Sequence, residues 1–252
     1  MAFKKTRNTL FFFLLFVLLI VSACALPLSS LPNPIKNTNT PPVVEEINPS
    51  PFQDIGCIWK TNTEAVCNQG SIPQKMGCDK LTNASDYINS LKADSEFVIC
   101  SYRADLTHMD ENSDPKGLWD SGCKTPWKQR LLVYSNGDYL LISDQEDLKY
   151  HFAPLTSPDQ ALAYAIAATG FSPRFDIADL TGFRMFVDPL QITTVQSTSD
   201  GFELNLFSQQ LCGCGPHTTF MQTINVTHSG DVKILESLPV FENPAEDNLC
   251  ID

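Results

Sequence analysis

The chain predicts an α+β protein: an antiparallel β-meander with one main packed helix, preceded by a disulfide-rich irregular region. Three observations carry this expectation. Short runs that alternate apolar and polar residues, separated by two-residue turn signals, read as strands. One alanine-rich stretch, Ser157 to Gly170, carries a cap at each end. Five of the nine cysteines fall between residues 54 and 125, where apolar periodicity is weak. At 43% hydrophobic and 18% charged residues, the 252-residue chain has the apolar content of a folded protein and the length to bury a core.

Lys4, Lys5 and Arg7 open the chain, and an apolar run follows from Leu10 to Val21. Ser22, Ala23 and Cys24 close it. A basic start, a short apolar stretch and small residues describe a secretory signal peptide. A spanning helix needs about 20 apolar residues, and Pro27 with the polar tract beyond it cuts this one short. Val21-Ser22-Ala23-Cys24 also resembles the lipobox of bacterial lipoproteins, with Val where Leu is commoner. That resemblance covers the first two dozen residues and implies cleavage before Cys24. It further implies a diacylglyceryl thioether on the Cys24 sulfur and an acyl chain such as palmitate on its amino group. The alternative is ordinary cleavage after Ala25, using Ala23-Cys24-Ala25. Residues 1–23 are then a lipoprotein signal peptide, and the mature chain is tied to the outer face of the cytoplasmic membrane or to an outer membrane.

Residues 24–53 read as a disordered tether. Pro27, Pro32, Pro34, Pro41, Pro42, Pro49 and Pro51 are spaced by Asn, Thr and Ser, with nothing periodic to bury. Residues 54–252 read as one disulfide-linked body. Its cysteine-rich part, 54–125, offers a single clear strand, Glu96 to Tyr102. Residues 126–252 hold the helix and meander. Arg130–Ser135 and Asp138–Ser143 flank Asn136-Gly137, the signature of a type I′ hairpin turn. Ser157 fits an N-cap, Pro158 the first helical position, Gln160 a capping box and Gly170 the C-terminal left-handed position. Five alanines allow close approach to a sheet. Gly182–Val187 reads as a short strand stopped by Pro189. Ile192–Thr198 with Phe202–Ser208, and His217–Thr227 with Asp231–Ser237, read as hairpins. Helix, strand, strand and the Ser229-Gly230 turn, over about 156–237, are similar to PepSY-type and cystatin-like extracytoplasmic domains. The segment Cys212 to Pro216 departs from that pattern. The similarity implies a binding or inhibitory module rather than a catalyst.

Charge sets limits on partners. Lys and Arg number 17 against 29 Asp and Glu, a net charge of −12. Losing Lys4, Lys5 and Arg7 with the leader takes it to −15. Nucleic acid is excluded as a general partner, because phosphate binding needs basic surface. An anionic body is not drawn to anionic headgroups either, so lipid would have to hold it.

In an exported chain the eight cysteines after Cys24 read as disulfides: Cys57, Cys67, Cys78, Cys100, Cys123, Cys212, Cys214 and Cys250. Five precede residue 125 and three follow residue 210, so complete pairing demands one or three bonds between the groups. Cys212 and Cys214 make poor partners for each other, with only Gly213 between them. The shortest possible crossing bond, Cys123 to Cys212, closes a loop of 89 residues. Parity does not choose the connectivity.

Chemistry-bearing motifs are few. Leu211-Cys-Gly-Cys-Gly-Pro-His217 offers two soft thiols and an imidazole, so Cys212, Cys214 and His217 form a candidate zinc or copper(I) set, the alternative to disulfides. Asp110-Glu-Asn112-Ser-Asp114 begins like a calcium loop, but Pro115 and Ser121 occupy the positions that need Gly and Glu. His108, His151 and His228 stand alone in sequence. Trp59, Trp119 and Trp127 would line a groove or pack a small core. No Gly-x-Ser-x-Gly, His-Glu-x-x-His or Walker loop occurs, and no motif calls for a cofactor. The expected function is a lipid-anchored binding or interaction module with a protein or small-molecule ligand. A metal-binding envelope lipoprotein and an envelope hydrolase without a nameable nucleophile are the alternatives.

Overall fold

Two antiparallel sheets hold a layer of helices between them. The computed structural model describes residues 50–103 and 116–251. The signal peptide, Cys24, nearly all of the tether, His108 and the acidic run 110–114 lie outside the described residues. Residues 48–252 cluster as one unit, so the two halves of the body are not separate domains. No helix among the described residues is long and apolar enough to cross a membrane.

The region expected to be irregular, 54–125, contributes five strands to a sheet that also takes in the expected hairpin of 130–143. This sheet comprises β1 (Cys57–Trp59), β2 (Glu64–Cys67), β3 (Lys80–Asn83), β4 (Ser95–Arg103), β5 (Trp119–Ser121), β6 (Trp127–Ser135) and β7 (Asp138–Ile142). Its order is β1-β2-β3-β4-β6-β5, with β7 beside β5 on the same edge of β6. A one-turn helix, α1 (Ile72–Lys75), lies between β2 and β3. The Asn136-Gly137 turn forms as expected, with φ of 55° and 91° joining the paired Ser135 and Asp138. β4 and β6 alternate strictly. Phe97, Leu131 and Val133 face the helices, while Val98, Cys100 and Leu132 face a second cluster with Phe52, Ile55, Cys57, Ala65, Cys78 and Leu81. Both faces are covered, which is why these strands read as near-continuous apolar runs.

Two helices fill the middle layer. α2 (Gln145–Phe152) starts at Asp144, whose side chain accepts from the Asp147 backbone N–H. Its buried residues are Leu148 and Phe152, one turn apart. α3 (Pro158–Thr169) starts at Ser157 and ends at Gly170, φ 69°, the caps expected. α3 is apolar nearly all round: Ala161, Ala163, Tyr164, Ala165, Ile166, Ala167 and Ala168 are all buried. A helix of that kind is covered on more than one side. Its cluster joins Phe97 and Leu131 of the first sheet to Phe202, Leu204, Leu206, Ile224 and Val226 of the second. The expected single-sheet packing is thereby corrected, and small side chains let both sheets approach. Tyr164 donates to the Gly230 carbonyl oxygen at 2.9 Å, and burial holds its hydroxyl well above its ordinary pKa.

The second sheet has the order β8-β13-β12-β10-β9: β8 (Arg184–Met185), β9 (Val195–Ser197), β10 (Gly201–Gln209), β12 (Thr218–Thr227) and β13 (Val232–Glu242). The strands expected over 182–187 and 192–198 shrink to two and three residues. The last strand instead runs on to Glu242 through Pro239, a residue tolerated at a sheet edge. The outer face of this sheet carries Phe207, Met221, Val240 and Phe241 beneath Leu180 and Leu190. Buried Asn205 ties the covering loop down, accepting from Thr194 N–H and donating to the Ile192 carbonyl. A two-stranded ribbon, β11 (Gly213–Cys214) with β14 (Cys250–Ile251), completes the fold.

Four disulfides close the body: Cys57–Cys67, Cys78–Cys100, Cys123–Cys212 and Cys214–Cys250. One bond crosses between the cysteine groups, as parity allows, and it is the 89-residue link. Cys57 and Cys67 are register partners on β1 and β2, and Cys214 and Cys250 on β11 and β14.

Candidate functional site

The one motif of unusual chemistry, Leu211 to His217, lies where β10 hands over to β12. Gly215 sits so close to the C-terminal turn that a Cβ there would meet the Glu246 carbonyl oxygen at 2.0 Å. Its N–H donates to the Leu249 carbonyl at 2.8 Å. Glycine is therefore required between the two cysteines and His217 by close approach, not by flexibility.

Cys212 and Cys214 do not form a metal site. Each sulfur is spent in a disulfide, to Cys123 and to Cys250, so neither offers the thiolate a metal would need. His217 is brought near them but turned inward, 1% exposed. Its Nε2 lies 3.3 Å from the Gly213 carbonyl oxygen and its Nδ1 lies 3.4 Å from Glu246 Oε2. A carbonyl oxygen and a carboxylate oxygen both only accept, so each ring nitrogen faces an acceptor. Closed to solvent, the ring sits between the Gly213 carbonyl and the Glu246 carboxylate and braces the two segments that carry them. Among the described residues no group of three His, Cys, Asp or Glu is arranged to hold a metal ion.

Around His217 the fold gathers charges that the sequence keeps far apart. Arg184 reaches Glu242 Oε2 at 2.7 Å and Asp247 Oδ2 at 2.9 Å. Those two hydrogen bonds, Asp247 first, raise its pKa. Glu242 is buried and also accepts from Thr218 Oγ1 at 2.7 Å. Glu246 accepts from Gln209 and Asn243. His217 Nδ1 and Asp247 Oδ1 are buried without a hydrogen bond among the described residues. Arg184 and Glu242 lie 58 residues apart and meet only because β8 pairs with β13, so no local spacing announces them.

The other singled-out residues scatter. His151 packs edge-on to Tyr150 at the surface, and His228 contacts the Leu155 carbonyl oxygen through Nδ1 at 2.8 Å. Trp59 packs against the outer cluster of the first sheet, and Trp119 against the helical layer. Lys80 and Arg103 lie over the Trp127 ring at 5.0 and 5.5 Å. The three tryptophans therefore serve three different places and do not share one groove. Set against family models, curated proteins and solved structures, the chain matches none.

Proposed function

We propose that the protein is a lipid-anchored, extracytoplasmic binding module. The observation that carries this reading is the closure of all eight body cysteines in disulfides. Four disulfides mark folding in an oxidising, extracytoplasmic compartment. Of the nine cysteines in the chain, that leaves Cys24 over by count. It stands at the end of a basic and then apolar leader, where the lipobox resemblance asks for a thiol. The proline-rich stretch that follows would set the body off the membrane.

The test is Cys24→Ala in the native host. Wild type should partition with membranes after a high-salt wash, and the variant should be recovered in the soluble fraction. Labelled fatty acid should enter the wild type alone. A variant still held on membranes at high salt, or a wild type that takes up no label, would sink the anchor.

A further inference from the structure

The second sheet leaves an open edge. β13 pairs with β12 over almost its whole length, but on its other side β8 reaches only Phe241 and Glu242. Phe186 N–H then donates to the Val240 carbonyl oxygen. From Lys233 to Leu238 no strand lies beside β13 on the side away from β12 among the described residues. On that stretch Ile234 and Leu235 are 46% and 48% exposed.

A bulge sets the geometry of this edge. Thr223 pairs with Glu236, while the next residue, Ile224, pairs with Ile234, leaving Leu235 as the extra residue. In a regular strand Lys233 and Glu236, an odd number of residues apart, would point to opposite faces. Here Lys233 stands opposite Asn225 and Glu236 opposite Thr223. Asn225 and Thr223 are two apart on β12, so the lysine and the glutamate share one face. A cation and an anion thus flank an apolar pair, and neither has an ion-pair partner among the described residues.

We propose that this edge joins two copies of the chain, β13 against β13, antiparallel about a two-fold axis through the bulge. That operation sets Lys233 against the partner's Glu236, and Glu236 against the partner's Lys233. It lays the Ile234–Leu235 pair of one copy on the same pair of the other. Each bulge meets its twin, so the ladder stays in register on both sides of the axis. A second copy fits better than a foreign strand, because the antiparallel copy supplies the opposite charge at both flanking positions. Pro239 and the bulge confine the added ladder to a short stretch, so the dimer is reversible and concentration-dependent. The inference stands apart from how the chain is anchored.

Sedimentation velocity of the full chain in mild detergent, over a concentration series, should give a monomer–dimer equilibrium. Lys233→Glu and Glu236→Lys each turn both cross-strand pairs into like-charge pairs, and each should weaken association about tenfold. Combining the two substitutions restores complementarity and should return the wild-type constant. Carbodiimide treatment of mixed heavy- and light-labelled copies should join Lys233 of one to Glu236 of the other. A monomer throughout, a dimer indifferent to the single substitutions, or a double variant no better than either single one would each overturn the proposal.

Discussion

Removing the crossing disulfide tests whether the body is one cooperative unit. The perturbation is Cys123→Ser with Cys212→Ser. Cys212 is exposed and Cys123 only half-buried, so little packing is lost with the sulfurs. The effect therefore falls mainly on the unfolded chain. The bond closes an 89-residue loop. None of the other three bridges lies inside that loop, so none shortens it in the denatured state. Loop-closure entropy for a link of that length is about 4.6 kcal/mol at 25 °C. For a body of this size that corresponds to a fall in Tm of roughly 10–18 °C. The assay is urea unfolding of unreduced wild type and variant, followed by tryptophan fluorescence, with peptide mapping to show the other three bonds intact. The variant should unfold in one transition at lower urea, with a somewhat larger m-value because its unfolded chain is less constrained. A loss below about 1 kcal/mol would show that the denatured chain is already held compact and would refute the entropic argument. Two separate transitions would refute the single cooperative core.

Two further outcomes follow from the packing and the caps. Ala165→Leu inserts volume into a helix layer covered by sheets on both sides, and should cost about 1–3 kcal/mol in the same melt; a neutral result would reveal unfilled space beside α3. Asp144 caps α2 and pairs with Lys116 at 2.6 Å, and these contacts, Lys116 first, hold its carboxyl below the usual range. Its unfolded value is about 3.9, so its stabilisation is complete above that pH and is lost as pH falls through the lower folded value. Asp144→Asn keeps a capping acceptor without the titration, so its stability should fall less steeply below about pH 4 than that of wild type; parallel acid limbs would contradict the assignment.

Features whose cause is local were legible in the chain. Ser157, Pro158 and Gly170 bound α3 because a cap satisfies backbone groups within one turn of itself. Asn136-Gly137 builds its turn because the needed φ values belong to those two residues. The pairing of cysteines was narrowed by counting alone, to an odd number of crossing bonds. β1 to β3 escaped notice because three or four residues are too few to show alternation. Their inward positions are held partly by Cys57 and Ala65, which do not read as strand core. α2 escaped because only Leu148 and Phe152 mark its buried side.

Other features belong to the assembled fold. Five alanines announce a close neighbour but not how many, and only the stacking of two sheets shows that α3 is enclosed. Cys-Gly-Cys with a histidine is as suited to a metal as to two disulfides. The choice was made by where Cys123 and Cys250 come to lie, 89 and 36 residues from their partners. Arg184 with Glu242, and the face shared by Lys233 and Glu236, exist only once strands pair and one of them bulges. Dihedral preference and capping act over a few residues and so can be read along a chain. Contacts between distant residues depend on register and burial, which no local stretch encodes.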